Sequence, residues 1–381
     1  MPTLPQPEPN ISALLAERIN AHDFPSAVYV VAARGQIRFA DALGEAVSEP
    51  APHAANLETI YDLASLTKPL ITGLLCALLV ERGHIELDSP VAAYLSEFER
   101  ARARHITVLH LLTHTSGLPA WRPLYLDTGG VPEATLGVIA GQELESEPGT
   151  RVVYSDLGFI TLGFLLARVA GESFSDLARR EIFEPLKLGR TFFNPDRIRR
   201  TEIAASESGG NSYEREMCAN LYGDTPEYHW RERTVWGEVH DGNAHFLGGA
   251  AGHAGLFSTA TETLELAGQF VARETKLLAP ETCALFRTNM TVGLNEARSF
   301  AWQLAATPDS TAGPLLPPDS FGHLGFTGTS CWIDASRERV LILLTNRTHA
   351  RPLPFVNING VRRQFHTLAV EALERLAADV L

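Results

Sequence analysis

The spacing of apolar residues predicts helices and strands near both ends of the 381-residue chain. In residues 10–22 apolar side chains recur at helical intervals, which predicts an amphipathic helix. Residues 26–40 contain two apolar stretches around a glycine turn, a pattern typical of a β-hairpin. Near the other end, residues 325–334 and 339–346 predict two strands, and residues 361–381 predict a closing amphipathic helix.

The middle of the chain has a different pattern. Residues 70–178 have mainly helical periodicity, whereas residues 194–245 are polar and irregular, so we expect loops there. The pattern predicts a sheet assembled from the two terminal parts, flanked by the terminal helices, with an all-helical domain inserted between them. We place the discontinuous α/β domain at residues 1–75 and 240–381, and the inserted domain at residues 76–239. A cleft between two such parts is a usual place for a functional site.

Composition and charge exclude several classes of protein. With 45% hydrophobic and 20% charged residues the chain is globular rather than disordered or a coiled coil. Its 32 basic and 45 acidic residues give a net charge of −13, which repels phosphate backbones and anionic lipid, so we expect neither a nucleic-acid nor a membrane partner. The apolar runs are too short or too interrupted to cross a bilayer. The four cysteines form no CxxC pair and no signal-peptide pattern is seen, so we expect a cytoplasmic protein, or an exported one if the start site is misassigned.

Ser65 and Lys68 are the first candidates for chemistry. Lys68 is one of three lysines against 29 arginines, and a lysine, unlike an arginine, can serve as a base. Pro69 is tolerated only in the first turn of a helix, which places the helix start near Ser65. Ser65 and Lys68 then share one helical face at the positive end of the dipole, as a nucleophile and an amine base require. The alternative is a polar helix start without a catalytic role.

Two further motifs could face a cleft. Tyr154 precedes Ser155 and Asp156 at the start of an apolar helix; the alternative is a tyrosine that anchors a capped helix N-terminus. His323 and Gly325 lie at the start of a predicted strand, where the glycine would let another molecule approach the backbone. The alternative for this motif is a twisted edge strand.

In this order and spacing, the three motifs resemble the signature of the serine β-lactamase and penicillin-binding-protein superfamily: SxxK, Tyr-x-Asn and Lys/His-x-Gly. The resemblance extends over residues 26–345, and the stretches 111–119, 148–163 and 254–260 resemble its class C-like and esterase-like branch. It implies an α+β fold of the β-lactamase/transpeptidase type, with an antiparallel sheet of five or more strands flanked by helices and an inserted all-α domain.

The resemblance also implies a reaction. Ser65 would attack a carbonyl carbon and form an acyl-enzyme, while Lys68 and Tyr154 would share the proton. The backbone N–H groups of Ser65 and Phe326 would hold the oxyanion. Neither a metal ion nor a cofactor would be needed, and the partner would be a small-molecule amide or ester substrate.

Two residues depart from the family pattern. Asp156 stands where asparagine is common, and a carboxylate there should favour a protonated Lys68 and shift more of the base role to Tyr154. His323 stands where the true β-lactamases and transpeptidases have lysine, so a permanent cation that grips a substrate carboxylate is missing. We therefore expect ester or amide substrates rather than efficient penicillin hydrolysis.

Residues 236–258 contain His240, Asp241, His245 and His253, but their spacing matches none of the common short zinc patterns. We expect a Gly-rich loop folded onto the cleft, with His240 or Asp241 meeting the substrate. The segment resembles a bacterial subgroup that includes penicillin-binding-protein-4B-like proteins and muropeptide amidases, which split muramic acid from L-alanine.

Three hypotheses for the function remain. The first is a serine hydrolase: a muropeptide or peptide amidase, a small-ester carboxylesterase, or a weak β-lactamase or D,D-peptidase. The second is a non-catalytic relative that binds peptidoglycan fragments or regulates a partner. The third is a metal-dependent hydrolase that uses the histidines of residues 236–258. The joint presence of Ser65, Lys68 and Tyr154 favours the first.

Overall fold

The computed structural model describes residues 6–99, 102–224 and 227–378. The strands are β1 Ser26–Ala33, β2 Gln36–Val47, β3 His53–Ala54, β4 Tyr61–Asp62, β5 Phe257–Ser258, β6 Gln303–Leu304, β7 Phe321–Leu324, β8 Ser330–Asp334 and β9 Arg339–Thr345. The helices are α1 Pro9–Asn20, α2 Leu74–Glu81, α3 Val108–Leu112, α4 Leu124–Asp127, α5 Thr135–Ala140, α6 Asp156–Ala170, α7 Phe174–Ala178, α8 Glu184–Leu186, α9 Ser212–Tyr222, α10 Gly242–Phe246, α11 Ala260–Gly268 and α12 Asn359–Ala378. Short 3₁₀ or π-helical segments are Ala64–Leu66, Lys68–Gly73, Val91–Ala93, Ser96–Phe98, Arg102–His105, Pro132–Ala134, Arg179–Phe183, Arg197–Glu202 and Thr282–Arg287.

Seven strands form one antiparallel sheet in the order β3-β2-β1-β9-β8-β7-β6. Three of these strands come from the N-terminal part of the chain and four from the C-terminal part, so the predicted composite sheet is confirmed. At its centre, Val30 of β1 lies opposite Ala40 of β2 and Ile342 of β9. The predicted hairpin is therefore also confirmed, although β2 continues to Val47.

The central strand β1 contributes side chains to two cores. Val28 and Val30 pack into a large core with the helical part of the chain, whereas Tyr29 and Val31 pack with α1 and α12 on the other face. Successive side chains of a strand point to opposite faces, so a strand covered on both faces has a continuous apolar run. The large core contains residues of both the sheet and the helical middle. The boundaries given for the two domains stay a prediction.

Both terminal helices occur where the apolar periodicity predicts them. The first, α1, begins with Pro9 in its first turn, and the Glu8 carboxylate accepts a hydrogen bond from the Ile11 N–H (2.9 Å). The last, α12, starts at Asn359 and is described to Ala378; the final three residues of the predicted helix lie outside the described residues.

A continuous helix, here called the Ser65 helix, runs over Ala64–Glu81. It begins with a 3₁₀ turn, continues as a π-helical segment from Lys68 and ends as α2. Its start agrees with the prediction made from Pro69. By length and apolar composition this helix would suffice to span a bilayer, which corrects the expectation that the run is too short. However, 83% of it is buried inside the protein, as in a core helix.

One expectation for the polar middle segment is wrong. Residues 212–222 form helix α9 within the stretch expected to be irregular. The buried residues of α9 are Glu214 and Cys218, which lie one helical turn apart. Tyr213, Met217 and Leu221 recur at helical spacing, but they are half-buried or exposed, and the other residues of this short helix are mostly polar, so the polar character of the segment outweighs the helical signal.

The prediction of a strand at residues 325–334 is also wrong for its first half. Residues 325–329 form a turn between β7 and β8, and His323 lies in the preceding strand rather than at the start of one. The Gly325 N–H donates a hydrogen bond to the Thr329 carbonyl oxygen (2.8 Å), and Gly328 has a φ of +114°, which favours glycine. These two features close a hairpin where β-prone residues had suggested one strand.

A Gly-rich loop, residues 248–255, passes between the Ser65 helix and α6. Gly252 lies against Gly163 of α6, and a Cβ at Gly252 would overlap the Phe159 carbonyl oxygen. On the other side, the Thr72 hydroxyl donates to the Gly252 carbonyl oxygen (2.6 Å). Both helices therefore contact the loop, and the backbones of the loop and α6 approach so closely that only glycine fits at position 252.

Replacing Gly252 with alanine should lower the free energy of unfolding by about 1–3 kcal/mol, because the added methyl group forces a backbone shift. Gly137→Ala in α5 is the control, since a Cβ there meets nothing within 4 Å and alanine favours a helix. Urea unfolding followed by circular dichroism measures both variants. Equal stability of the two would contradict the close packing at Gly252.

Candidate active site

A cavity of about 720 Å³ opens where the Ser65 helix, the start of α6 and the end of β7 meet. The residues predicted from the sequence that line it are Ser65, Tyr154, Asp156, His240, Asp241, His323, Gly325 and Phe326. Lys68 is fully buried beside Ser65. The fold thus gathers the three sequence motifs and part of the 236–258 segment around one cavity.

The ammonium of Lys68 is the centre of the site. Its Nζ donates hydrogen bonds to Ser65 Oγ (2.9 Å) and to the His253 carbonyl oxygen (3.1 Å), and it lies 2.7 Å from Asp156 Oδ1. Burial lowers the pKa of Lys68, but the Asp156 carboxylate, helped by Tyr154, outweighs burial and raises the pKa above its usual value. Lys68 is therefore protonated at neutral pH, as expected for a carboxylate at position 156, whereas the expected shift of the base role to Tyr154 stays a prediction.

The start of α6 positions Tyr154 and Asp156. Ser155 is the N-cap residue of this helix and separates the two side chains. Lys68 Nζ lies 5.0 Å from the centroid of the Tyr154 ring, and the His114 ring packs against the same phenol with centroids 4.5 Å apart. The capped helix start is thus compatible with a functional Tyr154, and the two interpretations of this motif are not exclusive.

His114 is a buried support of Tyr154 that the sequence analysis did not single out. Its Nδ1 accepts a hydrogen bond from the Ser155 N–H (3.0 Å). Burial, together with the nearby Arg298 and Lys68, holds the pKa of His114 well below its usual value, so the ring is neutral. Its sequence neighbours resemble the family, but nothing local indicates that it contacts Tyr154.

His323 is also neutral and offers a lone pair instead of a charge. Its Nδ1 lies 2.9 Å from the Leu324 carbonyl oxygen, which can only accept, so Nδ1 carries the hydrogen. Burial, Lys68 and Arg298 lower the pKa of His323 well below its usual value. Among the described residues Nε2 has no hydrogen-bond partner. The side chain therefore supplies no permanent cation.

The turn after β7 is fixed by two arginines. Arg362 Nη2 donates to the Gly325 carbonyl oxygen (2.7 Å), and Arg347 Nε donates to the Phe326 carbonyl oxygen (2.7 Å). A Cβ on Gly325 would overlap the Leu63 carbonyl oxygen, so the turn packs tightly on the segment that precedes the Ser65 helix. In a trans peptide the Phe326 N–H points opposite to the Gly325 carbonyl, hence away from Arg362.

The residues considered for zinc binding separate into pairs with different partners. The pairs are His240–Glu207 (2.8 Å), His253–Asp241 (2.8 Å) and His245–Glu238 (3.5 Å). Within residues 6–99, 102–224 and 227–378, no three histidine, cysteine or acidic side chains are grouped as ligands of one metal ion. His240 and Asp241 line the cavity, but each is engaged in one of these hydrogen-bonded pairs.

Helix α9 brings a further carboxyl group to the cavity wall. Glu214 accepts hydrogen bonds from the Gly242 N–H (2.7 Å) and the Tyr125 hydroxyl (3.0 Å). Burial, together with the neighbouring Asp241, raises the pKa of Glu214 to about 7. This residue could not be found from the sequence, because α9 itself was not predicted.

Comparison with known proteins agrees with these observations. The Beta-lactamase family profile matches residues 11–360. A protein of Escherichia coli strain K12 named "Putative D-alanyl-D-alanine carboxypeptidase" is 29% identical, and the alignment covers 92% of this chain and 87% of that protein. A protein of the same name from Salmonella agona strain SL483 is 31% identical, with 78% and 72% covered.

Solved structures show the same fold. EstCE1, described as a hydrolase with promiscuous acyltransferase activity, superimposes with a TM-score of 0.72 at 22% identity, covering 94% of this chain and 97% of that one. A class C β-lactamase superimposes with a TM-score of 0.71 at 17% identity, covering 96% and 97%. With a family match over nearly the whole chain and this fold, the chain belongs to the Beta-lactamase family, within the serine β-lactamase and penicillin-binding-protein superfamily, and is a β-lactamase-like hydrolase.

Proposed function

We propose that the protein cleaves an amide or ester bond through an acyl-enzyme formed on Ser65. The observation that carries this proposal is the hydrogen bond of 2.9 Å from the buried Lys68 Nζ to Ser65 Oγ, at the wall of a cavity large enough for a small substrate. The serine is accessible from the cavity, whereas the amine is shielded from solvent. This is the arrangement expected of an activated nucleophile.

The proton of Ser65 has a defined path. Because Lys68 rests as an ammonium, it can accept a proton only if it gives one up at the same time. As Ser65 Oγ attacks the carbonyl carbon, its proton passes to Lys68 Nζ while an ammonium proton passes to Asp156 Oδ1, which lies 2.7 Å away. The asparagine that is common at this position in the family could not accept that proton.

Tyr154 serves the leaving group and the water. Its phenol gives a proton to the leaving nitrogen or oxygen, and the phenolate is stabilised by the neighbouring Lys68 ammonium. The phenolate then takes a proton from the water that attacks the acyl carbon. As the ester bond to Ser65 breaks, the proton on Asp156 returns through Lys68 to Ser65 Oγ. Every group ends in its starting state, and the N–H groups of Ser65 and Phe326 hold the oxyanion in both steps.

The substrate is an amide or ester, which includes the muropeptides suggested by the resemblance of residues 236–258. A neutral His323 supports substrates that present a hydrogen-bond donor there instead of a carboxylate. A second candidate is D-alanyl-D-alanine carboxypeptidase activity, which the names of the Escherichia coli and Salmonella relatives suggest. Two arginines favour this carboxypeptidase activity. Arg347 and Arg362 line the cavity, and neither forms an ion pair with a described carboxylate. The terminal carboxylate of a peptide would therefore meet two guanidinium groups.

Wild-type protein mixed with a fluorophosphonate should gain the mass of one adduct, because Ser65 is activated, whereas Ser65→Ala should gain none. Intact-protein mass spectrometry measures both. Ser175→Ala, in α7 and outside the cavity lining, is the control and should keep the adduct. An equal adduct on Ser65→Ala would contradict the assignment, and no adduct on any of the three would favour the non-catalytic binding relative.

Lys68→Arg should lower kcat/KM for an ester by about 10²–10⁴-fold, nearly as much as Lys68→Ala, because arginine keeps the charge but does not exchange its proton. Steady-state ester hydrolysis measures this, with circular dichroism to confirm folding. Lys276→Arg is the matched control, since that side chain is exposed and pairs with Glu265. A Lys68→Arg enzyme that kept most of its activity would show that Lys68 does not relay a proton.

Asp156→Asn should change the pH profile of kcat/KM. In the wild type Asp156 raises the pKa of Lys68, so the ammonium persists across the neutral range and activity there should not depend on deprotonation of Lys68. In the variant the effect of Asp156 is lost and the pKa of Lys68 falls relative to the wild type, so the neutral amine becomes the base and activity increases as the pH rises through the lowered value. Identical profiles for the two enzymes would rule out Asp156 as the proton acceptor.

A further inference from the structure

Three aromatic side chains form one wall of the cavity that contains Ser65. Tyr213 is at the start of α9, Phe326 is in the turn after β7, and Phe355 is in the loop between β9 and α12. Tyr213 has its ring centroid 4.7 Å from that of Phe326 and 5.9 Å from that of Phe355. All three rings are half-buried and lie outside the hydrophobic core clusters. This aromatic wall is therefore not part of the packing that forms the core.

Glu207 holds two sides of the aromatic wall in place. Its buried carboxylate accepts a hydrogen bond from the Tyr213 N–H (2.9 Å) and pairs with His240 Nε2 (2.8 Å). The His240 ring in turn stacks on Phe326, with centroids 5.5 Å apart and an interplanar angle of 24°. The rings are thus ordered before any ligand arrives, which reduces the entropy lost on binding.

Arg347 fixes the opposite side. Its guanidinium carbon lies 4.8 Å from the Phe326 centroid and 6.0 Å from the Phe355 centroid, and its Nη1 donates to the Val356 carbonyl oxygen (2.8 Å). In the part of the chain that the structure describes, no carboxylate forms an ion pair with Arg347. The aromatic wall therefore combines ring faces with an unneutralised cation, and this combination attracts an electron-rich π system.

The aromatic wall is directly connected to the reacting centre. Phe326 follows Gly325, whose backbone packs against the Leu63 carbonyl oxygen two residues before Ser65. When the substrate carbonyl lies at Ser65, any substrate group that contacts Phe326 must be separated from that carbonyl by only a few bonds. It is therefore part of one of the two substituents of the carbonyl, the acyl chain or the leaving group.

We propose that the aromatic wall is a subsite for a planar aromatic ring carried by the acyl chain or the leaving group of the substrate. The proposal rests on the function proposed above and narrows its substrate class. A planar ring can stack against Tyr213, Phe326 and Phe355 or meet their edges, and such contacts add to the stabilisation from apolar burial alone. A saturated ring of similar size gains only the burial.

Two series of esters test the proposal. One joins phenylacetyl, cyclohexylacetyl and hexanoyl groups to a common leaving group; the other joins benzyl, cyclohexylmethyl and hexyl alcohols to a common acyl group. In at least one series the aromatic member should have a kcat/KM about three- to tenfold above that of the saturated ring. Equal values for the aromatic and saturated rings in both series would overturn the proposal.

Substitutions test whether the aromatic wall causes the preference for esters with an aromatic ring. Phe355→Leu and Tyr213→Leu keep an apolar side chain but remove the ring, so each should reduce the ratio of aromatic to saturated kcat/KM. Phe164→Leu is the matched control, since Phe164 is also half-buried but lines a different cavity. A ratio that persisted in both the Phe355 and the Tyr213 variant would overturn the assignment to the aromatic wall.

Labelling of Ser65 by an alkyl fluorophosphonate distinguishes this proposal from the proposed function. The probe has no aromatic ring, so its labelling of Ser65 in the wild type reports on the nucleophile without contributions from ring stacking on the aromatic wall. Labelled Ser65 together with no aromatic preference in either series would overturn the subsite alone. No labelling of the wild type and no ester turnover would overturn the proposed function and the subsite with it.

Discussion

The buried ammonium of Lys68 constrains everything around it. A charge removed from water is destabilising by several kcal/mol unless it is paired and hydrogen-bonded. Here the ammonium contacts three oxygen atoms: Ser65 Oγ, one oxygen of the Asp156 carboxylate and the carbonyl oxygen of His253. These oxygens come from the Ser65 helix, the start of α6 and the Gly-rich loop. Movement of α6 would leave the charge uncompensated, and movement of either other segment would remove a hydrogen bond from the buried ammonium, so the ion pair and the local fold depend on each other.

The same ammonium determines the state of its neighbours. His114 and His323 are both buried near Lys68, and this combination keeps both rings neutral. The Arg298 guanidinium already lies 5.7 Å from the Tyr154 ring centroid, so a charged imidazole there would add to the repulsion among cations, whereas a neutral imidazole can pack against the phenol without that penalty. The close contact of Gly252 and Gly163 serves the same end, because it lets the Gly-rich loop carry the His253 carbonyl to the ammonium. The contacts of the Lys68 ammonium thus explain why the Ser65 helix, the start of α6 and the Gly-rich loop pack together at this point.

The central residues were predictable because each carries a local signal. Pro69 places a helix start, and the polar residues after Tyr154 place another, so the positions of Ser65 and Tyr154 follow from short stretches of sequence. The aromatic wall has no such signal. Phe355 lies in a loop, and Tyr213 lies on a short helix within a polar stretch, where the few apolar residues stay half-buried or exposed and do not mark a core-facing side.

In the sheet, too, features set by neighbouring residues were predictable, whereas features set by contacts between distant residues were not. The β1–β2 hairpin was predictable from alternating apolar stretches around one turn. The turn at residues 325–329 was not, because its β-prone residues suggest a strand, while the reversal depends on glycine dihedral angles and on contacts with the distant Leu63. Likewise, the pairing of His240 with Glu207 joins residues 33 positions apart, and no spacing rule indicates it.

The two departures from the family pattern act together. Members with lysine at the position of His323 and asparagine at that of Asp156 place two cations near the nucleophile and no carboxylate between them. In this chain the histidine is neutral and a carboxylate replaces the amide beside Lys68, so the charge of the same group of side chains falls by two. Of the other cations that line the cavity, Arg298 is paired with Glu296, and Arg347 and Arg362 lie beyond the turn after β7. Under the proposed function, an uncharged carbonyl compound could then approach the serine without a carboxylate to balance the site, and selectivity would depend on the wall of the cavity rather than on the charge at the nucleophile.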